Sequence, residues 1–515
     1  MHPYLLLFAA RGGIGSGRVR VFDEGLGEWL AREGLEAGLG VEILRFIDAG
    51  ARVARRPGAE AVVVKLAVLE RRVLSGFIAE RVLHPWPRGG GAPPLFAAPG
   101  GERLRQGLGY LAELASLLTL GGSGGGFVVR HGPLLQQLHH YLAQVFDVDR
   151  LIVEAVLGYA GLGPGEAREL VDEGVLCDAS GRVNLGLLLL SVLERLVELG
   201  RGGGFSPAGV VEDVSRSRVL VSGLLAELIW SALPRGGGLT LVEKWALGLF
   251  ELAQAGWLGF LEELRSAGVE PQDCFCGEDP EPVLEGLGEW RQLVSAVHRE
   301  LSTRFAVVSP QGPGVLEAAV YSSGAVPDYG DSELVYGLAY TRPWGSGAWV
   351  VTAPRPRRGL GPWLARSLEE PRHRRLVSCR SLEDLQRRVE RIVGSVRYVY
   401  LVPALPGEPP SCLELARRVR GLRPCDAAGL VSLPPAVRLE YVEGMRGWRE
   451  LLAFLYYSSL VTLYGYPSQL LVVDKASRLH ADEAAIVSEL LEAMSKRLQP
   501  YTSFIRGWES RSALA

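Results

Sequence analysis

Lysine and asparagine are almost absent from this chain of 515 residues, which contains four lysines and a single asparagine, Asn184. Arginine therefore supplies nearly all of the positive charge. A shortage of thermolabile amides suits a thermophilic protein, and genes of high GC content produce the same bias. Composition does not separate these two explanations.

Cysteine is also scarce, and none of the six cysteines forms a CxxC pair. Their scattered spacing predicts neither a disulfide framework nor a zinc site, so a reducing cytoplasm is the expected compartment. No run of about 18 apolar residues occurs, and no membrane span is predicted. The net charge of −3 excludes a global basic field, so any site for nucleic acid must be a local patch.

The residues that are present predict a globular α/β protein. Hydrophobic residues make up 48% of the chain and charged residues 22%, and the length allows two or three domains. Residues 41–48 predict a strand that ends at Asp48, and Ala59–Glu70 predicts a second strand after a turn. An aspartate at a strand end suits a metal ligand, although aspartate also commonly begins a turn.

Two further candidate residues follow in the next segments. Glu102–Leu120 has the leucine spacing of a helix, and Glu113 lies beside its apolar stripe. Such an acid either reaches out to water or faces a polar site. A short strand, Phe127–Arg130, then leads into a Gly-Pro turn that exposes His131. A histidine in this place is a candidate ligand, although lone histidines more often only form hydrogen bonds.

The middle of the chain predicts helices and one basic segment. Residues 136–300 read as almost wholly helical and separate two halves that contain strands. Residues 355–397 contain twelve arginines, among them Arg357 and Arg358, and five acidic residues. This segment suits a surface that binds phosphates and equally suits a solvated helix crossed by i,i+4 ion pairs.

The most informative segment lies at residues 463–483. The Tyr466-Pro467 step predicts a rigid entry into an apolar run that ends at Asp474, and Lys475 and Arg478 follow. A tyrosine and a carboxylate at the two ends of a short rigid segment suit one shared pocket. A buried element with a solvated, charged end fits the same pattern.

In this order the segments resemble the NurA nuclease family, archaeal end-resection nucleases that work with a hexameric HerA-type ATPase. The family places an aspartate after a first strand, as Asp48 in IDAGARV. A helical glutamate precedes a second strand-end aspartate by about twenty residues, and here Glu113 lies 18 residues before His131. The family's YPxxL segment resembles YPSQLLVVD, with Tyr466 and Asp474. An RLEY segment upstream is also similar, and the resemblance spans about residues 40–135 and 300–490.

One position departs from the family pattern, because His131 stands where the second strand-end aspartate is expected. The family's acids bind divalent metal, usually manganese. Two-metal hydrolysis needs bridging negative charge between ions about 3.5–4 Å apart, which a neutral histidine does not provide. Histidine favours Mn²⁺ over Mg²⁺, and Asp474 offers a carboxylate where some relatives have histidine.

The resemblance implies an α/β fold with an RNase H-like core, a mixed sheet flanked by helices. Residues 1–135 and 301–515 would be its halves and 136–300 a large all-helical insertion. It also implies Mn²⁺, or Mg²⁺, as cofactor, and DNA, a HerA-like hexameric ATPase and a second copy of the chain as partners. Its implied metal ligands are Asp48, Glu113, His131 and Asp474, with Tyr466 positioning substrate or water and Lys475, Arg478, Arg357 and Arg358 contacting DNA.

Three hypotheses follow from the sequence. The first is a metal-dependent DNA nuclease of end resection. The second is a catalytically weakened relative, a structural subunit that threads DNA and docks on the ATPase; only the nuclease requires Mn²⁺. The third is an unrelated helical scaffold, which predicts no sheet that brings Asp48, Glu113 and His131 together.

Overall fold

The structure is a computed structural model that describes most of the first half of the chain and separate parts of the second. The described residues are 23–56, 59–74, 77–83, 95–121, 126–135, 147–175, 181–202, 206–214, 216–232, 349–352, 381–402, 436–462, 466–480 and Glu483, with scattered positions in 255–268 and 330–335.

Nine strands of the described chain form one mixed sheet. Its order is β3-β2-β1-β5-β8-β11-β10-β9, and β4 pairs with the first half of β2. Strands β5 and β8 run parallel to β1, whereas the other neighbours are antiparallel. The bounds are β1 Ile43–Arg56, β2 Ala59–Leu74, β3 Phe77–Leu83, β4 Phe96–Pro99, β5 Phe127–His131, β8 Ser206–Val211, β9 Trp349–Thr352, β10 Val396–Val402 and β11 Val437–Val442, and a separate pair consists of β6 Asp147–Val148 and β7 Val183–Asn184.

Helices flank the sheet on both faces, and no helix among the described residues is both long and apolar enough to cross a membrane. Several begin at a side chain that accepts a backbone N–H, as Asp23, Asp149 and Ser381 do. The bounds are α1 Glu24–Leu39, α2 Glu102–Gly121, α3 Arg150–Tyr159, α4 Pro164–Gly174, α5 Leu185–Gly202, α6 Val219–Ala232, α7 Leu382–Val393, α8 Trp448–Leu460 and α9 Ser468–Ser477.

The two faces of the sheet bury different cores. Ile47 and Val128 pack with residues of α2, α3, α4, α5 and α7. Phe46 and Val129 pack on the other side with residues of α1, α8 and α9. Because side chains alternate along a strand, Asp48 and His131 point to the face of α8 and α9. Arg130 points to the face of α2.

Most of the predicted elements are confirmed. The strand from Ala59, the helix from Glu102 and the strand from Phe127 are β2, α2 and β5. The sheet brings Asp48 close to His131, so the helical scaffold hypothesis is wrong. The sequence of residues 304–310 also has the character of a strand, and this segment lies outside the described residues.

Two predictions about strands are wrong. Strand β1 does not end at Asp48, because it stays paired with β2 as far as Arg56, and Asp48 lies opposite Ala67. Residues 136–300 are not all helical, because β8 lies inside the sheet between β5 and β11. Strand β8 is buried on both sides, but its Pro207 and Gly209 are residues that sequence patterns rarely assign to strands. One strand of the predicted insertion, β8, thus belongs to the main sheet, and the division of the chain into domains stays a prediction.

Candidate metal centre

Three of the four predicted metal ligands come together on the face of α9. One potential ligand atom each from Asp48, His131 and Asp474 lies within 4.8 Å of the others. The parallel pairing of β1 with β5 ends at Ile47 and Arg130, so Asp48 and His131 are the next residues of adjacent strands. Helix α9 covers this point and brings Asp474 in its last turn.

His131 lies between two carboxylates. Its Nδ1 is 3.5 Å from Oδ1 of Asp48, and its Nε2 is 2.7 Å from Oε2 of Glu212. Burial lowers the pKa of His131, but its contacts with Asp48 and Glu212 outweigh burial and raise that pKa to about 10. Without a bound cation, His131 is therefore an imidazolium at neutral pH.

Asp48 is held from the other side by α9. The Ser477 hydroxyl donates a hydrogen bond to Oδ2 of Asp48. Burial raises the pKa of Asp48, whereas His131, Ser477 and Arg130 lower it, and the net shift is downward. Asp48 is therefore an ionised carboxylate with one oxygen directed at His131.

The approach of α9 to β1 depends on a glycine. A Cβ atom on Gly50 would lie 2.1 Å from the carbonyl oxygen of Ser477. Only glycine permits this contact, which places the last turn of α9 directly on the strand beside Asp48. Lys65 lies opposite Gly50 on β2. Its Nζ forms a salt bridge with Glu483 at 2.8 Å, which ties Glu483, beyond the end of α9, to the sheet.

Glu113, the fourth predicted ligand, lies beside the cluster and is engaged elsewhere. Its Oε1 accepts the Ala49 N–H at 2.9 Å, and its Oε2 contacts Arg130 at 2.5 Å. Burial raises the pKa of Glu113 to about 7, with Arg130 opposing and Asp48 adding to the shift. Glu113 thus satisfies the first free N–H of β1 beyond the β5 pairing, and it is not part of the three-residue cluster.

Of the other predicted residues, Lys475 lies in α9, and Arg478 and Tyr466 lie at its two ends. Arg478 is exposed and pairs with Asp474, and this hydrogen bond raises the pKa of Arg478, with smaller effects of Asp48 and Tyr466. Tyr466 is half-buried against the core of α8 and α9, and Lys475 is exposed. Arg357 and Arg358 lie outside the described residues.

Three residues of the site did not stand out in the sequence: Glu212, Ser477 and Arg130. Glu212 directly follows β8, and an acid after a buried strand would have been a signal if that strand had been recognised. Ser477 ends α9, and Arg130 precedes His131 in the chain. Their roles follow from tertiary contacts, which no local pattern encodes.

The residues of the cluster fit a divalent cation. Two carboxylates and one imidazole are donors that suit transition ions such as Mn²⁺, and a carboxylate behind the imidazole is the usual outer partner of a metal-binding histidine. Such a cation supplies a Lewis acid that lowers the pKa of water and stabilises developing charge on phosphoryl oxygens. Asp48, His131 and Asp474 would hold such a cation, and Lys475 and Arg478 are exposed positive charges beside it.

Comparisons with known proteins give little beyond this geometry. No family model matches the chain, and no curated protein matches it. Among solved structures, the crystal structure of the NurA nuclease from Sulfolobus solfataricus is similar over 92% of this chain and 93% of that chain, with 10% identity and a TM-score of 0.35. A crystal structure of NurA with manganese is similar over 88% and 89%, with 11% identity and a TM-score of 0.29. Both TM-scores are below 0.5, so the chain's function has to be inferred from its own residues.

Proposed function

We propose that the chain is a metal-dependent nuclease that hydrolyses DNA phosphodiesters at the cluster of Asp48, His131 and Asp474. The observation that carries this proposal is the convergence of three ligand atoms within 4.8 Å, from two strands and a helix. A single Mn²⁺ suits the site best, because an imidazole does not bridge two ions and the Glu113 carboxylate is engaged by Arg130.

The proposal assigns a role to each side chain. Asp48, His131 and Asp474 bind the cation, and Tyr466 positions the substrate. Lys475 and Arg478 contact phosphates, with Arg357 and Arg358 as further predicted contacts. The same proposal includes a role in DNA end resection with a HerA-like ATPase, and dimerisation of the chain. It also includes an RNase H-like core, and the parallel pairing of β1, β5 and β8 agrees with such a core.

The test is cleavage of end-labelled single- and double-stranded DNA with Mn²⁺, with Mg²⁺ and with EDTA. We expect cleavage that requires Mn²⁺ and is lost in Asp48→Ala and Asp474→Asn. Glu36→Gln, which removes an exposed carboxylate of α1, is the matched control and should keep full activity. Cleavage that survives Asp48→Ala would place the activity elsewhere.

A second candidate function is a structural subunit that binds DNA without cutting it. It is favoured by the partners that the ligand atoms already have: Ser477 on Asp48, Arg478 on Asp474 and Glu212 on His131. Here the imidazolium of His131 takes the place of a metal cation. Binding of DNA with no cleavage and no Mn²⁺ binding would support this function over the nuclease.

A further inference from the structure

We infer that Glu212 is a positioning residue that orients His131 for metal binding, an inference that rests on the proposed function. Oε2 of Glu212 lies 2.7 Å from Nε2 of His131. The other ring nitrogen, Nδ1, faces Oδ1 of Asp48 at 3.5 Å. The ring therefore has one nitrogen committed to Glu212 and one directed into the cluster.

The sheet places Glu212 there by register. His131 pairs with Val210 across the parallel strands β5 and β8, and Glu212 follows Val210 by two residues. Val210 and Val129 share the core on the face of α8 and α9, so by alternation Glu212 and His131 continue the same face. Glu212 thus reaches the ring from behind, on the side away from Asp48.

This arrangement selects one tautomer of the histidine. A neutral imidazole carries its proton on one nitrogen only, and the partner of that nitrogen decides which one is free to bind a metal. With Nε2–H donated to Glu212, the lone pair of Nδ1 faces Asp48, a member of the cluster. Glu212 fixes the angle of the His131 ring as well, because β5, which carries His131, and β8, which precedes Glu212, are paired in the sheet.

Glu212 also supplies charge. A histidine ligand brings no negative charge to offset a divalent cation. Glu212 supplies a negative charge on the far side of the His131 ring. Outer carboxylates of this kind raise the basicity of the ligand, and their loss typically weakens metal binding about 10–100-fold. The Glu212 side chain is 30% exposed, so it can be replaced without opening a cavity in the core.

The experiment is a titration of the full chain with Mn²⁺, in which free Mn²⁺ is followed by electron paramagnetic resonance. We expect Glu212→Ala to bind Mn²⁺ about 10–100-fold more weakly than wild type. Glu212→Gln, which keeps a hydrogen-bond acceptor without the charge, should lie between them. Asp213→Asn, which changes the adjacent exposed acid, is the matched control and should bind as wild type does.

A second measurement reports the ring directly. With ¹⁵N-labelled histidine and Zn²⁺ as a diamagnetic probe, wild type should show Nδ1 ligated and Nε2 protonated, and Glu212→Ala should lose this single pattern. Unchanged Mn²⁺ affinity in Glu212→Ala, or ligation through Nε2 in wild type, would overturn the role of Glu212 alone. Failure of the wild-type chain to bind Mn²⁺ would overturn the metal site itself, and with it the proposed function.

Discussion

Arg130 and His131 are consecutive in the chain, and their positively charged side chains point to opposite faces of one sheet. Arg130 neutralises the buried Glu113 on the side of α2, and His131 lies between Asp48 and Glu212 on the side of α9. The sequence predicts Asp48, Glu113 and His131 as site residues but does not predict this division of partners. A strand-end pattern indicates that acidic and basic residues lie close to one another. Which of them pair depends on the face of the sheet to which each side chain points.

Replacing Arg130 with Met should destabilise the protein by about 3–5 kcal/mol, because Glu113 would stay buried without its counter-charge. The free energy of unfolding in urea at pH 7 measures this loss. The double variant Arg130→Met/Glu113→Leu removes both charges and should recover more than half of it. Equal stability of the single and double variants would show that the pair is not coupled.

The pH dependence of stability should report His131. Its pKa is raised from 6.5 to about 10 in the folded protein, so the stabilisation is complete below pH 6.5 and is lost as the pH rises towards 10. In EDTA, the difference in unfolding free energy between wild type and His131→Gln should therefore shrink between pH 6.5 and 10. A difference that stays constant over this range would contradict the imidazolium.

At the scale of elements, the site depends on how closely α9 lies on β1. The sequence predicted a rigid segment between Tyr466 and Asp474 but not that it is a helix, since its apolar run is too short to show a period. The sequence pattern also contains no signal for Gly50. Its importance follows only from its close contact with the Ser477 carbonyl in the folded structure.

Gly50→Ala should move the last turn of α9 away from β1 and weaken Mn²⁺ binding at least about 10-fold, because a ligand shifted by about 1 Å loses its geometry. Gly158→Ala in α3 is the matched control. A Cβ at Gly158 meets no atom within 4 Å, so it should keep Mn²⁺ affinity and gain up to about 1 kcal/mol of stability. Full Mn²⁺ affinity in Gly50→Ala would contradict the close approach.

Strands β1, β2 and β3 are joined by one buried carboxylate. Glu70 contacts Arg45 on β1, Arg81 on β3 and Arg72 on its own strand, each at 2.8 Å. Burial raises the pKa of Glu70, but the three arginines outweigh it and lower that pKa to about 2.

Glu70→Gln should cost about 3 kcal/mol of unfolding free energy, because Arg45 would stay buried without its acid. In wild type this stabilisation should be present above pH 4.5 and be lost as the pH falls towards 2. Glu60→Gln on the same strand removes an exposed partner of Arg55 and should change stability by less than about 0.5 kcal/mol. Equal losses in the two variants would contradict the special role of Glu70.

At the scale of the whole molecule, the sheet is assembled from distant parts of the chain. The sequence predicted a mixed sheet between helices, and the described residues confirm it. It assigned 136–300 to an insertion because the segment reads as helical between two halves that contain strands. The pattern misses strand β8 there, because the Gly and Pro of β8 remove the β-branched pattern on which strand prediction relies. Gly209 is required there, since a Cβ would lie 2.6 Å from the carbonyl oxygen of Gly132.

Deletion of residues 136–300 should therefore abolish cooperative folding, because it removes β8 from between β5 and β11. Thermal melting followed by circular dichroism and Mn²⁺ titration of the shortened chain measure the effect. A cooperative transition with retained Mn²⁺ binding would show that the segment is a dispensable insertion after all.

The position of Asp474 on α9 also has a consequence for biosynthesis. More than 400 residues separate Asp474 from Asp48 in the chain, and synthesis at about 5–20 residues per second takes at least about 20 s to cover them. During that time β1 and β5 have left the ribosome without the helix that covers them. The nascent chain therefore presents Asp48 and His131 to solvent or to chaperones long before the cluster can close.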